Sequence, residues 1–213
     1  MRYIIVCAGE NHFEDLYKHE ENDFIISVDG GYNYLNKLNI IPDIHLGDND
    51  SSINNNYKVK KEIIKYNPIK DDSDLELAIN YILTNYNNEE VLVYNATGNR
   101  LDHYEANIRL LLKNPNVNIK LLDDKNKIYV LNNNIYNISK SDYKYISFFN
   151  YEDDTIISLE GFKYNLENYK MKKFDNLCLS NEIIERSNIE HKNIESGKVK
   201  VNKCILCIES KDK

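Results

Sequence analysis

Close to residue 124 the hydrophobic pattern changes period, and this limits the available folds more than any other feature of the chain. Before it, residues 3–8 (YIIVCA), 24–29 (FIISVD), 44–48 (IHLGD), 91–96 (VLVYNA) and 117–123 (VNIKLLD) are short, largely apolar runs that read as buried strands. A further short strand ends near Tyr66-Asn67-Pro68. Amphipathic stretches lie between these runs. Residues 31–40 place Tyr34, Leu35 and Leu38 at helical spacing ahead of Pro42. Residues 72–86 put Leu75, Ile79, Ile82 and Tyr86 on one stripe, and Ser73 with Glu76 three positions on forms a capping box. Residues 102–114 are a second amphipathic helix. Alternation of this kind specifies a parallel sheet covered by helices. After residue 124 the segments become short, alternating and rich in Tyr and Ile: KIYVL, NIYNIS, YKYISFF, TIISL and KVKVNKCILCIE. They predict antiparallel strands in a β-sandwich or small barrel. The expected organisation is an α/β domain over 1–124, with an α/β/α parallel sheet, followed by a β-sandwich domain over 125–213.

Charge narrows the partners. A formal net charge of −7 argues against a nucleic-acid surface, which needs a basic face. No apolar run approaches the roughly 20 residues that span a bilayer. The apolar start MRYIIVCAGE stops at Gly9, too soon for a secretory leader, so a cytoplasmic protein is expected. Of the four cysteines, Cys204 and Cys207 form a C-x-x-C inside a strand-like stretch. Residues three apart in a strand face opposite sides, and no second pair completes a zinc site. Buried thiols in a reducing compartment are the expectation for these two, for Cys7 and for Cys178.

The acidic residues carry the chemistry. Asp29, followed by Gly30-Gly31, ends the second strand. Asp48 and Asp50 follow the third, separated only by Asn49. Lys70, Asp71, Asp72 and Asp74 precede or open the capped helix, and Arg100, Asp102 and His103 follow the 91–96 strand. Each cluster alone has a bland reading: a tight turn, a solvated loop, or a helix cap that favours Asp at the positive dipole end. Together they fall at the carboxyl ends of strands, the edge where open parallel sheets bind ligands. Hard carboxylate oxygens suit Mg2+ shared with phosphate oxygens and water. Lys70 and Arg100 supply fixed positive charge for phosphate. No P-loop is present, so phosphoryl-type transfer at a site without a Walker motif is the reading of these residues.

Three stretches then gain a family context. SVDGGYNYLNKLNIIPDIHLGDNDSS, YNPIKDDSDLELAINYI and TGNRLDHYEANIRLL resemble, in order and spacing, the D-G-G, G-D-x-D-S, K-D-x-T-D-x-E and G-x-R-x-D-H blocks of thiamine pyrophosphokinases. LEGFKYNL and LSNE (179–182) resemble that family's C-terminal blocks. The resemblance implies transfer of pyrophosphate from ATP to thiamine, Mg2+, and a homodimer with active sites at the subunit interface. It implies Asp48, Asp50 and Asp74 as metal ligands, with Asp29 and Asp71 close by. Lys70 and Arg100 would hold ATP phosphates, and Asp102 and His103 would complete the nucleotide or substrate pocket. Ser180 and Asn181 would meet thiamine, and Asp71 or Asp74 would accept its hydroxyl proton. Ser73 stands where the family usually has Thr, Asn49 where an apolar residue is usual, and Asn99 where Gly is common. The C-terminal Trp that stacks on thiamine in some members is absent. Two rivals share these residues: a related Mg2+ pyrophosphokinase acting on another hydroxymethyl heterocycle such as a pterin, and a non-catalytic nucleotide- or thiamine-binding module.

Overall fold

The computed structural model describes residues 1–47, 57–66, 72–86, 89–98, 100–184 and 196–212. The chain divides into two compact units, one of residues 1–111 and 117–124, the other of 112–116 and 125–213.

The first unit holds strands β1 (Arg2–Val6), β2 (Asp23–Val28), β3 (Ile44–Gly47), β4 (Glu62–Lys65), β5 (Glu90–Tyr94) and β6 (Ile119–Leu122). They lie in the order β4-β3-β2-β1-β5-β6, every pair parallel. The chain thus builds outward from β1 in one direction, then returns to its other side with β5, which makes the β1/β5 junction the topological switch point. The helices are α1 (Phe13–Leu16), α2 (Gly31–Lys37), α3 (Asp74–Asn85) and α4 (Leu101–Lys113).

Strands β1, β2, β3 and β5 are buried along nearly their whole length because both faces are covered, whereas β4 at the edge is mostly exposed. Ile4, Val6 and Ile25 pack with Phe13 of α1 and Leu35 of α2. On alternate positions Tyr3 and Phe24 meet Tyr86 at the end of α3, with ring centroids 5.2 and 5.1 Å from that ring. Within α3, Leu75, Ile79 and Ile82 are buried, and the Ser73 hydroxyl accepts the Glu76 N–H at 3.2 Å.

Helix α2 ends at Lys37, three residues earlier than the spacing predicts. Asn39 turns left-handed at φ 55, and the Ile40 N–H closes back on the Leu35 carbonyl at 2.9 Å. Helix α1, four residues long, has no periodicity that would announce it.

The β3–β4 connection starts and finishes in one aromatic clasp. His45 on β3 is buried, with Nδ1 2.9 Å from the Ser27 hydroxyl. Its ring completes a triangle with Tyr57 (centroids 4.1 Å apart) and Tyr32 (5.5 Å), whose own rings are 4.6 Å apart. The Tyr32 hydroxyl accepts the Lys58 N–H at 2.7 Å.

In the second unit, β7 (Asn126–Leu131), β13 (Ile205–Ser210) and β9 (Tyr145–Asn150) are adjacent and antiparallel. Strands β11 (Leu166–Met171), β10 (Thr155–Glu160), β12 (Ser196–Val201) and β8 (Asn134–Ser139) form a four-stranded antiparallel sheet in that order. Ile138, Ile157, Leu159, Val199 and Val201 from the second set share one core with Leu131, Ile146, Phe148 and Cys207 from the first, a β-sandwich. Residues 198–209 read as one strand in sequence but divide at Asn202-Lys203-Cys204 into β12 and β13. All four cysteines are free; Cys178 and Cys207 are buried as expected, whereas Cys7 and Cys204 are partly exposed. Among the described residues no helix is long and apolar enough to cross a membrane.

Candidate active site

A cavity of about 570 Å3 opens at the carboxyl ends of the first unit's strands. Cys7, Ala8 and Gly9 line it from the end of β1, Val28 and Asp29 from β2, Asn95 and Ala96 from β5, Ser73 and Asp74 from the start of α3, and Arg100 and His103 from α4. It therefore sits over the β1/β5 switch point, where doubly wound sheets bind ligands.

Local structure places each charge. Asp29 takes a left-handed backbone, φ 48, immediately after β2, and its N–H donates to the Leu46 carbonyl at 2.8 Å. This sharp turn aims the chain into α2, whose Tyr34 hydroxyl donates to the Gly9 carbonyl at 2.9 Å. Asp74 is the first residue of α3, beside its Ser73 cap. Helix α4 is tied to the end of β5 by the buried Asn107, whose amide donates to the Ala96 carbonyl at 2.8 Å. Arg100 forks onto Asp102, with Nε 3.2 Å from Oδ1, and both side chains are exposed. The guanidinium bond holds the Asp102 carboxyl down at about 2, so this pair stays ionised at any physiological pH. Cys7 is the opposite case. Burial, then the nearby charges of Asp29 and Asp74, push its thiol up to about 12, so it presents a neutral S–H to the cavity.

Of the residues singled out in sequence, Asp29, Asp74, Arg100 and His103 come together in this cavity, with Asp102 joined through Arg100. Asp48, Asp50, Lys70 and Asp71 lie outside the described residues. Ser180 and Asn181 belong to the second unit. There Ser180 is exposed and left-handed, φ 53, with its N–H on the Ser147 hydroxyl at 2.9 Å. Asn181 is buried and its amide is engaged by its neighbours. Oδ1 accepts the Tyr164 and Glu182 N–H groups, both at 3.0 Å, and Nδ2 donates to the Tyr164 carbonyl at 2.8 Å. Glu10, Tyr34, Asn95 and Asn107 line the cavity without having been singled out. The sequence pattern places Asn95 inside a strand over 91–96, whereas β5 ends at Tyr94 and leaves Asn95 at the cavity.

Whether the cavity suits a divalent cation can be judged from its donors. Among the described residues no group of three or more His, Cys, Asp or Glu could hold a metal ion. Asp29 and Asp74 nonetheless bring two hard carboxylates to one cavity. Asp29 Oδ1 lies 2.9 Å from where a Cβ on Gly47 would stand, directly against the residue that precedes Asp48. An oxygen-only set of this kind fits Mg2+.

Comparison with known proteins is decisive for the family. Residues 16–122 match the thiamin pyrophosphokinase catalytic domain, and residues 133–193 match the thiamin pyrophosphokinase vitamin B1 binding domain. The chain belongs to the thiamin pyrophosphokinase family. A thiamine pyrophosphokinase of Bacillus subtilis is 34% identical over 195 residues, covering 86% of this chain and 91% of that protein. The crystal structure of thiamine pyrophosphokinase from Bacillus subtilis superposes with a TM-score of 0.84 at 29% identity, covering all of both chains. That of thiamin pyrophosphokinase from Geobacillus thermodenitrificans gives 0.83 at 26%, covering 100% of this chain and 99% of that one. Thiamin pyrophosphokinase from Candida albicans, at 17% identity and a TM-score of 0.74, shares the fold, covering 99% of this chain and 89% of that one. The match to the thiamin pyrophosphokinase catalytic domain takes in the cavity lining from β2 onward and leaves out Cys7, Ala8, Gly9 and Glu10.

Proposed function

We propose that the chain transfers pyrophosphate from ATP to the hydroxyl of thiamine, giving thiamine diphosphate and AMP. It would do so in the cytoplasm, as a homodimer with active sites at the subunit interface. One observation carries this reading. In a chain of this family, a cavity at the switch point gathers Asp29, Asp74, Arg100 and His103.

ATP would lie in the cavity with its phosphates toward Arg100 and, by sequence position, Lys70. Asp48, Asp50 and Asp74 would hold Mg2+, with Asp29 and Asp71 beside them. When bound, the ion neutralises charge building on the phosphate oxygens. The thiamine hydroxyl attacks the β-phosphorus in line. The bond from that phosphorus to the α–β bridging oxygen breaks, and AMP leaves with the oxygen. Asp71 or Asp74 takes the hydroxyl proton. Asp102 keeps Arg100 oriented, and His103 closes the wall beside it. In the second unit Ser180 would meet thiamine with its exposed hydroxyl. Asn181 would act through Tyr164, whose main chain it holds on both sides.

The test is AMP release from ATP and Mg2+ with thiamine, with a hydroxymethylpterin, and with neither. Thiamine-dependent AMP supports the proposal. Pterin-dependent AMP moves the chain to the related pyrophosphokinase, and binding without AMP makes it a binding module. Asp74→Asn should lower kcat by about 100-fold or more, the range for removing a group that stabilises developing charge. Activity near wild type in that variant removes Asp74 from the chemistry.

A further inference from the structure

We infer that Asn95, one residue beyond β5, is the positioning residue that fixes the wall of the nucleotide cavity. This inference rests on the nucleotide reading of that cavity. The wall in question is residues 9–13, the connection from β1 into α1, which contributes Gly9 and Glu10 to the lining.

Asn95 holds this segment at both ends. At its start, the Gly9 N–H donates to the Asn95 carbonyl at 3.1 Å. The approach is so close that a Cβ on Gly9 would stand 2.3 Å from that oxygen. At its end, the Asn95 side chain reaches the first turn of α1. Oδ1 accepts the His12 N–H at 2.8 Å and the Phe13 N–H at 3.1 Å. Nδ2 lies 3.4 Å from Asn11 Oδ1. His12, at the cap position of α1, does not cap the helix with its own side chain, so the cap comes from 83 residues away.

The residue type suits this double duty. Asn95 is left-handed at φ 61 and 1% exposed. Glycine satisfies that backbone as well, but a glycine cannot supply Oδ1. Among the other residues, asparagine tolerates the left-handed region best, and it carries the acceptor. A four-residue helix is too short to hold itself together. The placement of 9–13 therefore depends on Asn95 rather than on local propensity. Because Asn95 also lines the cavity, the strand end that forms the floor is the same residue that fixes the wall.

Asn95→Gly is the discriminating variant, since it keeps the backbone angle and deletes the side-chain ties. It should speed amide exchange across residues 9–13. It should weaken binding of a non-hydrolysable ATP analogue, and raise the KM for ATP, by about tenfold, while the KM for thiamine moves less than twofold. General destabilisation would not separate the two KM values. In the wild-type chain the His12 and Phe13 amides, both held by Oδ1, should be protected from exchange, and fast exchange at those two amides overturns the inference even if the glycine variant does not accumulate. Unchanged analogue affinity or unchanged exchange in Asn95→Gly overturns the role of Asn95 alone. A wild-type chain that does not bind the analogue removes the nucleotide reading, and this inference with it.

Discussion

Gly31 admits no side chain at all: a Cβ there would stand 1.9 Å from the Val6 carbonyl oxygen. The start of α2 is thereby pressed against the end of β1. Gly31→Ala should cost about 3 kcal/mol, the upper part of the overpacking range, read as a lower urea midpoint. His45 has a different vulnerability. Burial, partly offset by the Ser27 bond, holds its pKa down to about 4, whereas an unfolded chain protonates it near the ordinary value of 6.5. Between those values the unfolded state binds the extra proton. The contribution is therefore fully present above pH 6.5 and is lost as pH falls toward 4. His45→Phe should flatten that part of a stability-against-pH curve, and an unchanged slope would assign it to other groups. Residue type made Asp29, Asp74, Arg100 and His103 legible in sequence, because charged residues at strand ends are few and chemically distinctive. Asn95 and Asn107 were not legible. Asn95 lies near the end of a strand-like run and Asn107 within α4, and an asparagine at such positions looks the same whether it turns the chain, faces water or pins a distant segment.

Elements announce themselves in sequence when they carry their own stabilisation. Helix α3 does so through its apolar stripe and its Ser73 cap. Ser73→Ala should cost about 1 kcal/mol, and Ser73→Thr, which keeps the hydroxyl, much less, as read by thermal unfolding. A Ser73→Ala variant as stable as wild type would mean that tertiary packing alone sets where α3 begins. Helix α1 is invisible because it is assembled by Asn95 and by burial of Phe13 rather than by periodicity. The early end of α2 at Lys37 was hidden for a related reason. Leu38 continues the helical spacing, while the left-handed turn at Asn39 ends the helix. The division of residues 198–209 into β12 and β13 escaped notice because alternation runs straight through a turn made of Asn, Lys and Cys.

The molecule as a whole separates two tasks. Among the described residues the cavity lining comes from the first unit, and the sandwich has a core of its own around Phe148 and Phe162. Phe148→Ala should cost about 3–5 kcal/mol of the second unit's stability. Calorimetric affinity for an ATP analogue should stay within twofold of wild type. A proportionate loss of affinity would show that the cavity depends on the sandwich core. The two-part outline was the most legible level, since buried parallel strands and half-exposed antiparallel ones impose different hydrophobic periods. The clasp of Tyr32, His45 and Tyr57 has a consequence for engineering. Because these rings anchor the described residues on either side of positions 48–56, a sequence exchanged between them would start and finish at fixed ends. Doubling the length of such an insert adds only about 0.6 kcal/mol of closure entropy. Acidic ligands of new number and spacing could be introduced between those ends while β3 and the clasp stay in place.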